Sequence, residues 1–301
     1  MSDEPFEARF QRCLTESGAG YLSARDEILA LGTAAVALVQ AKARLPDWRT
    51  QTVGEILLGW LTQRTLFEQV VPDARAAWLE QVPAKPITGT LSAVRRASML
   101  AGHGPAIVPR LIEILTKTRE YAAGDELQVI MLALDYLRDP LAVMPLAELA
   151  GTSTDAGLQT LALATLGTLG DRRAFDVAGA VLADRDRGPV VRGAAAVCLG
   201  QLRDPRATGA LLAVAQDPGQ ASVLRQSAVR GLGYVGGPGA GPALAALLRE
   251  AADERLALTA VDALARLGDR SAAETLEEAA RSHDQVAVRR AAQDAREGLP
   301  A

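Results

Sequence analysis

The chain has 301 residues, a formal net charge of -4, charged residues at 23% and aromatic residues at only 4%. Acidic and basic residues are interleaved without a basic block, so the composition speaks against a nucleic-acid partner, which needs a net basic face. Hydrophobic residues make up 49% of the chain and are largely Ala, Leu and Val, which is typical of closely packed helices.

Residues 1–90 predict helices that do not follow a regular repeat. The segment from Glu4 to Thr15 predicts a capping helix, and SARDEILALGTAAVALVQAKA predicts a compact helix pair that turns at Gly32. The segments DWRTQTVGEILLGWLTQ and FEQVVPDARAAWLEQV predict a longer and less regular pair. We therefore assign this part of the chain to an irregular N-terminal region with a cap helix.

The same region contains all three tryptophans of the chain. Aromatic side chains are enriched at protein interfaces, although irregular helices also need large side chains to fill the gaps between them. Trp60 lies within the apolar segment EILLGWL and is expected in the core, whereas Trp48 follows Pro-Asp at a predicted helix start and is expected to be exposed. We predict that Trp48, Arg49, Arg75 and Trp78 contact a partner.

A repeat of about 33 residues occupies residues 91–284. Its first unit, LSAVRRASMLAGHGPAIVPRLIEILTK, has a slipped turn at Gly104-Pro105, and the pattern is regular from about residue 125. One repeat position is occupied by leucines spaced by 32, 33, 33 and 32 residues: Leu134, Leu166, Leu199, Leu232 and Leu264. Four further columns agree across the same units, which identifies a tandem repeat.

Each unit predicts two antiparallel helices, as in VVRGAAAVCLGQLRDPRATGALLAVAQD. Val191, Ala195 and Cys198 lie on one face of the first helix, and Asp204 is a natural N-cap for the second. Gly200 and its counterparts are expected at the turn, where a small residue would let the two helices close tightly. The final segment, QVAVRRAAQDAREGLP, predicts a capping helix over 285–301 with a charged outer face.

Helix pairs of this length, with a D-P or D-R turn and a short apolar motif ending in Leu-Gly, resemble HEAT repeats, specifically the bacterial HEAT-like repeats also found in phycobilisome lyase subunits. The resemblance extends over residues 125–284. It implies an all-α solenoid of about eight stacked antiparallel helix pairs. It also implies a non-catalytic protein interaction scaffold or adaptor that binds a partner protein on the solenoid surface.

Two alternative functions follow from related proteins. A HEAT-like subunit of a bilin chromophore lyase would attach or detach a pigment, and a nucleic-acid-binding protein similar to the HEAT-like alkylpurine glycosylases would need a basic stripe. The paired His-Glu motifs by which HEAT-like deoxyhypusine hydroxylases hold iron are missing, because neither His103 nor His283 is followed by Glu. That enzyme is therefore excluded as an interpretation.

No sequence motif indicates catalysis. The GxGxxG motif from Gly231 to Gly236 falls at the end of a predicted helix, whereas a dinucleotide site needs it after a strand. No histidine is in register with Cys13 or Cys198, so nucleophilic catalysis lacks a base. The aspartates Asp139, Asp171, Asp204 and Asp269 recur at one repeat position, which favours helix capping over acid-base chemistry.

Arginines recur early in the first helix of four units: Arg95, Arg192, Arg225 and Arg289. We interpret this column as structural, with each guanidinium bridging to an acidic residue of the neighbouring unit, although binding of acidic partners is the alternative. The two cysteines indicate a reducing compartment. The acidic N-terminus has no signal-peptide pattern, and no stretch reaches about 18 uninterrupted apolar residues. We expect a cytoplasmic protein with a protein partner, no membrane partner, no cofactor, no metal and no enzymatic activity.

Overall fold

A computed structural model of the protein describes residues 4–69, 89–119, 124–237, 239–251, 253–268 and 270–299. The regular secondary structure of these residues is helical throughout, so the predicted all-α fold class is confirmed. By internal contacts the chain divides into an N-terminal unit, Met1–Leu146, and a C-terminal unit, Ala147–Ala301. The predicted boundary after residue 90 falls within the helix Gly89–Ala101 and stays a prediction.

The N-terminal unit contains helices of unequal length. They are α1 (Phe6–Thr15), α2 (Gly18–Leu29), α3 (Thr33–Ala43), α4 (Trp48–Thr62), α5 (Arg64–Gln69), α6 (Gly89–Ala101), α7 (Val108–Thr116) and α8 (Gly124–Leu137). The core around α1 to α4 includes Phe10, Cys13 and Tyr21, all at most 2% exposed. The turn before α7 uses Gly104 at φ 75°, as the Gly-Pro pair predicts.

The C-terminal unit is more regular. After α9 (Val143–Thr152), which crosses the boundary between the units, come α10 (Ala156–Leu169), α11 (Phe175–Ala183), α12 (Pro189–Gln201), α13 (Ala207–Gln216), α14 (Ser222–Val235), α15 (Ala240–Glu250), α16 (Glu254–Leu267), α17 (Arg270–Ser282) and α18 (Val286–Glu297). From α10 onward, even-numbered helices are the first helices of their repeats and odd-numbered helices are the second ones. The repeated leucines of the first helices, from Leu166 to Leu264, are at most 1% exposed.

Close contact between the first helices of consecutive repeats depends on small residues. A Cβ added to Gly200 of α12 would lie 2.6 Å from the Cα of Gly231 in α14, and one added to Gly233 would lie 2.8 Å from the Cα of Ala263 in α16. The prediction that these glycines close the turn within a repeat was therefore wrong. They lie inside the first helices and let the next repeat approach, because a side chain would occupy the space of the neighbouring backbone.

The predicted aspartate caps are confirmed wherever the structure describes them. Asp139 accepts a hydrogen bond from the N–H of Leu141, Asp171 from the N–H of Arg173, and Asp204 from the N–H of Arg206, at 2.9, 2.9 and 3.0 Å. Asp269 lies outside the described residues. Further aspartates cap the starts of other helices and were not predicted: Asp47, Asp155 and Asp253. In the described part of the chain, no helix has the length and apolar character needed to cross a membrane.

Candidate functional site

The predicted contact residues fall in the N-terminal unit. Trp48 begins α4 and is half-buried, and the guanidinium of the exposed Arg49 lies 5.1 Å from the centroid of its ring. The expectation that Trp48 is exposed was therefore wrong, because the protein covers part of its side chain. Arg75 and Trp78 lie outside the described residues. A partner-binding role for these four residues stays a prediction.

Trp60 is buried, as predicted, and belongs to a polar cluster around Glu113 that the sequence reasoning missed. Glu113 is 0% exposed. Its Oε1 accepts hydrogen bonds from the Tyr21 hydroxyl at 2.8 Å and from Arg25 at 3.1 Å. Its Oε2 accepts from the Trp60 indole N–H at 2.8 Å and from Arg110 at 2.5 Å. Four donors thus satisfy one buried carboxylate, as burial of a charge requires.

The two arginines of this cluster also pack on Trp60. The guanidinium carbons of Arg25 and Arg110 lie 4.5 and 5.0 Å from the indole centroid, a favourable cation–π geometry. Burial raises the pKa of Tyr21 well above its ordinary value, and the neighbouring Glu113 carboxylate raises it further. The phenol therefore stays a hydrogen-bond donor, and the cluster joins α2, α4 and α7 into one core.

A signal for this cluster exists in the sequence. Glu113 is the one acidic residue in the apolar run from Leu111 to Leu115, on a helix whose neighbours are buried. A lone carboxylate at such a position must find donors from other helices. The sequence alone could not name those donors, since Tyr21 and Arg25 are 92 and 88 residues away.

The arginine column is structural, but its predicted acidic partners were wrong. Arg192 donates to the main-chain carbonyl of Leu182 at 2.9 Å, and Arg225 donates to that of Ala215 at 2.9 Å. Both carbonyls lie at the C-terminal end of the preceding second helix, where four carbonyl groups have no partner within the helix. Arg289 donates in the same way to the carbonyl of His283. Arg95 is exposed.

Other side chains of the C-terminal unit satisfy helix ends in the same manner. Gln159 occupies the arginine column in α10 and donates to the carbonyl of Ser153, just after α9. Arg187 donates to the carbonyls of Ala150 and Gly151 in the last turn of α9. This repeat position is therefore occupied by a long hydrogen-bond donor, Arg or Gln, which reaches a main-chain carbonyl and does not require an acidic neighbour.

The second helices of the C-terminal unit leave a groove between α11 and α13. Its volume is about 280 Å³. Gly179, Ala183, Ala210 and Ala213 form its small apolar lining, together with Leu182 and Val214. The row of Gly and Ala keeps the groove open, because larger side chains at these partly or fully exposed positions would fill it.

Polar residues are confined to one end of this groove. Arg185 follows the end of α11, Asp217 and Gln220 follow the end of α13, and Arg192 lies in the first turn of α12. The pKa of Asp217 is lowered, chiefly by the hydrogen bond from Gln220, next by the N–H of Gly219 and to a smaller extent by Arg185. Asp217 therefore carries its negative charge at neutral pH. The groove thus has negative and positive side chains next to its apolar lining.

A second groove, of about 340 Å³, lies between α15 and α17 and is more polar. Its hydroxyl groups are occupied within their own helix, since Thr275 donates to the carbonyl of Ser271 and Ser282 donates to that of Glu278. Nδ1 of His283 accepts from the N–H of Gln285, so Nε2 carries the proton and donates to the carbonyl of Leu248. This arrangement contains no nucleophile paired with a base.

The cysteines are buried and unreactive in character. Burial raises the pKa of both Cys13 and Cys198 to about 12, so neither thiol ionises near neutral pH. The GxGxxG segment ends α14, and its first glycine packs against the carbonyl of Ala196, so the motif has a packing role. Among the described residues, no group of three or more His, Cys, Asp or Glu is placed to hold a metal ion.

Stacked helix pairs with repeated apolar columns and shared helix-end contacts define a tandem helix-pair repeat protein. The family model for HEAT repeats matches residues 143–225, 177–265 and 219–295, which together cover slightly more than half of the chain. The chain belongs to the HEAT-repeat family. No curated protein matches it.

Solved structures resemble the chain loosely. Human deoxyhypusine hydroxylase in complex with glycerol is 15% identical, with 79% of this chain and 99% of that chain covered and a TM-score of 0.35. A second chain is 14% identical and has a TM-score of 0.41. It comes from a structure in which Kap95p binding induces the switch loops of RanGDP to adopt the GTP-bound conformation. The match covers 98% of this chain but only 41% of that chain. An engineered protein is 19% identical, with coverages of 88% and 98% and a TM-score of 0.32. These likenesses are too low to indicate a function.

Proposed function

We propose that the protein is a non-catalytic interaction scaffold or adaptor that binds a partner protein along the second helices of its C-terminal unit. The open groove between α11 and α13 supports this proposal most directly. Its lining of Gly and Ala side chains leaves space beside backbone and Leu182, and charged groups lie at one end only. Such a surface suits a side chain or short segment of another protein, which brings its own larger residues.

The side-chain contacts favour binding over catalysis. Catalytic groups work by converging on one reacting atom, with a nucleophile or base held in reach and ready to ionise. In the described part of the C-terminal unit, the hydroxyls near the second groove donate to their own helix, and both nitrogens of His283 are engaged. These hydroxyl and imidazole groups therefore form contacts within the fold.

The two alternative functions from the sequence stay predictions. No contact among the described residues favours bilin transfer, and the resemblance to phycobilisome lyase subunits is shared by the HEAT-repeat family more widely. A nucleic-acid interface would need a surface in which basic residues outnumber acidic ones over a long path. The chain has 32 basic and 36 acidic residues.

Photo-cross-linking from the groove tests the proposal. A benzophenone amino acid placed at the exposed position Ala213 of α13 should capture one protein in the native host, which mass spectrometry identifies. The purified partner is then titrated against Ala213→Trp, whose indole would fill the groove. We expect its affinity to fall by about tenfold or more, because a blocked hot-spot pocket removes a central contact.

Ala164 supplies the matched control, since it is an exposed alanine on the first helix α10 of the same unit. Ala164→Trp should bind the partner as the wild type does. Equal cross-linking from positions 164 and 213, or wild-type affinity in Ala213→Trp, would contradict the assignment of the binding face. Turnover of a small molecule by the purified chain would contradict the non-catalytic role.

A further inference from the structure

The turns within consecutive repeats of the C-terminal unit are rich in arginine. The turn between α10 and α11 contains Asp171, Arg172 and Arg173, and the turn between α12 and α13 contains Arg203, Asp204 and Arg206. Four arginines thus accompany two aspartates. Both aspartates are also helix caps that accept main-chain hydrogen bonds.

Each aspartate already has one arginine partner. Arg173 pairs with Asp171 and Arg206 pairs with Asp204, each at 2.8 Å. Arg172 and Arg203 are exposed, and within the described residues the structure gives their side chains no hydrogen bond and no ion pair. One guanidinium on each turn is therefore left for a ligand from outside the chain.

The two turns lie close together. The guanidinium carbon of Arg206 lies 4.1 Å from the ring centroid of Phe175, which opens the second helix of the preceding repeat. The pKa of Asp204 is lowered to about 2, chiefly by the hydrogen bond from Arg206, next by the N–H of that residue, and by the charge of Arg172 among smaller causes. Arg172 therefore acts electrostatically on the turn that contains Arg203.

The backbone conformation of Arg203 is an independent indication that its side chain has a function. The position four residues after the repeated leucine has a positive φ in every described repeat from residue 134 onward: Arg138, Gly170, Arg203, Gly236 and Gly268. Glycine adopts this left-handed conformation without steric cost, whereas a side chain strains it. Arg203 adopts this conformation with φ 52°, although glycine would adopt it with less steric strain. Residues with strained backbone are enriched at functional sites.

We propose that Arg172 and Arg203 form an anion-binding edge that recognises an acidic segment, rich in Asp or Glu, of the protein partner. Guanidinium groups bind carboxylates in a bidentate geometry, and successive turns present them at two points along an extended peptide. This inference rests on the proposed scaffold function and adds the chemistry of the partner. Arg173 and Arg206 are already paired with the two aspartates, so they flank the proposed site and do not block it.

Binding of a fluorescein-labelled polyglutamate peptide of about ten residues to the full chain, followed by anisotropy at low salt, tests the edge. We expect Arg172→Ala/Arg203→Ala to weaken binding by about tenfold, since two charge-assisted contacts are lost. The matched control is Arg230→Ala/Arg290→Ala, which removes two exposed arginines from α14 and α18 of the same unit. Equal weakening in both double variants would show general charge attraction and overturn the proposal.

Arg203→Gly separates binding from folding. It removes the guanidinium but relieves the left-handed strain, so the peptide affinity should fall while the melting temperature stays at or above that of the wild type. A fall in melting temperature with unchanged peptide binding would assign Arg203 a structural role and overturn the proposal. Tighter binding of duplex DNA than of the peptide, lost in the same variants, would overturn the choice of an acidic protein segment.

The groove experiment distinguishes this inference from the proposed function. If the partner cross-linked from Ala213 binds Arg172→Ala/Arg203→Ala as tightly as the wild type, the anion-binding edge is wrong and the scaffold function stands. If polyglutamate binds at the arginines but no protein is captured from Ala213, the proposed groove is wrong and the edge stands.

Discussion

The two units of the molecule solve the problem of packing helices by different means. The C-terminal unit repeats small residues, so first helices approach until a Cβ at Gly200 would lie 2.6 Å from the Cα of Gly231. The N-terminal unit instead places aromatic rings and a buried ion cluster between its helices, with Glu113 at 0% exposure. The close approach of the regular first helices therefore requires small residues at the points of contact, whereas the irregular helices need large and polar side chains to fix their positions.

The largest effect should come from Glu113→Gln. The amide keeps the shape of the side chain but replaces one acceptor oxygen with a donor group that faces other donors. It also removes the buried counter-charge of Arg25 and Arg110, so that Arg25 keeps only its exposed neighbour Asp26. We expect the N-terminal unit to lose about 3 kcal/mol of unfolding free energy, because breaking a buried ion pair leaves uncompensated charge. Urea denaturation measures this loss.

The cysteines show whether that loss is local. Cys13 is buried in the N-terminal unit and Cys198 in the C-terminal unit, so a thiol reagent labels each one only when its unit opens. Glu113→Gln should speed labelling of Cys13 and leave Cys198 unchanged. Glu254→Gln, at an exposed helix start, is the control and should alter neither rate. Equal acceleration at both thiols would show that the two units do not differ as described.

Gly200→Ala should have the next largest effect. The added methyl group would press on the backbone of α14, and we expect a loss of about 2 kcal/mol, within the range for overpacking. Gly209→Ala on α13 is the matched control, since nothing lies within 4 Å of its added Cβ. Because alanine favours helix more than glycine does, this control should gain roughly 0.5 to 1 kcal/mol. A stabilised Gly200→Ala protein in urea denaturation would contradict the close approach.

A smaller loss is expected for Arg192→Ala. Removal of the guanidinium leaves the carbonyl of Leu182 without its donor, at a cost of about 1 to 2 kcal/mol. Because the partner is a carbonyl and not a carboxylate, the loss should be nearly the same in low and high salt. Arg230→Ala, at an exposed position, should change the unfolding free energy little. A loss that disappears in high salt would restore the acidic partner predicted from the sequence.

The smallest expected effect concerns pH. Asp204 has its pKa lowered from 3.8 to about 2, first by the side-chain hydrogen bond from Arg206. Its contribution to stability is therefore fully present above pH 3.8 and disappears as the pH falls towards 2. Asp204→Asn should flatten the fall of the melting temperature across this interval. If the melting temperature of Asp204→Asn fell with pH as it does in the wild type, Asp204 would not be responsible for this pH dependence.

Most of the repeat architecture could be predicted from periodicity, because apolar columns and aspartate caps are local patterns. The partners of Arg192 could not, since a sequence does not show which carbonyls a neighbouring helix leaves free. The misplaced role of Gly200 has a similar cause: a glycine near a helix end suits a turn as well as a close contact, and only packing separates the two.

The candidate site was harder to predict than the fold. Aromatic residues drew attention to Trp48, whereas the open groove is marked by the small side chains of Gly179 and Ala213, which are common throughout the chain. Arg203 was not singled out from the sequence, because its positive φ is visible only in the structure. Grooves and unusual backbone conformations are therefore difficult to predict from amino-acid sequence alone.

The most direct test of a C-terminal binding face is hydrogen-deuterium exchange of the full chain with and without its purified partner. The proposal predicts slower exchange in α11 and α13 on binding, with α4 and its Trp48 unchanged. Protection confined to α4, with α11 and α13 exchanging as in the free protein, would contradict it and would place the contact at the aromatic residues of the N-terminal unit.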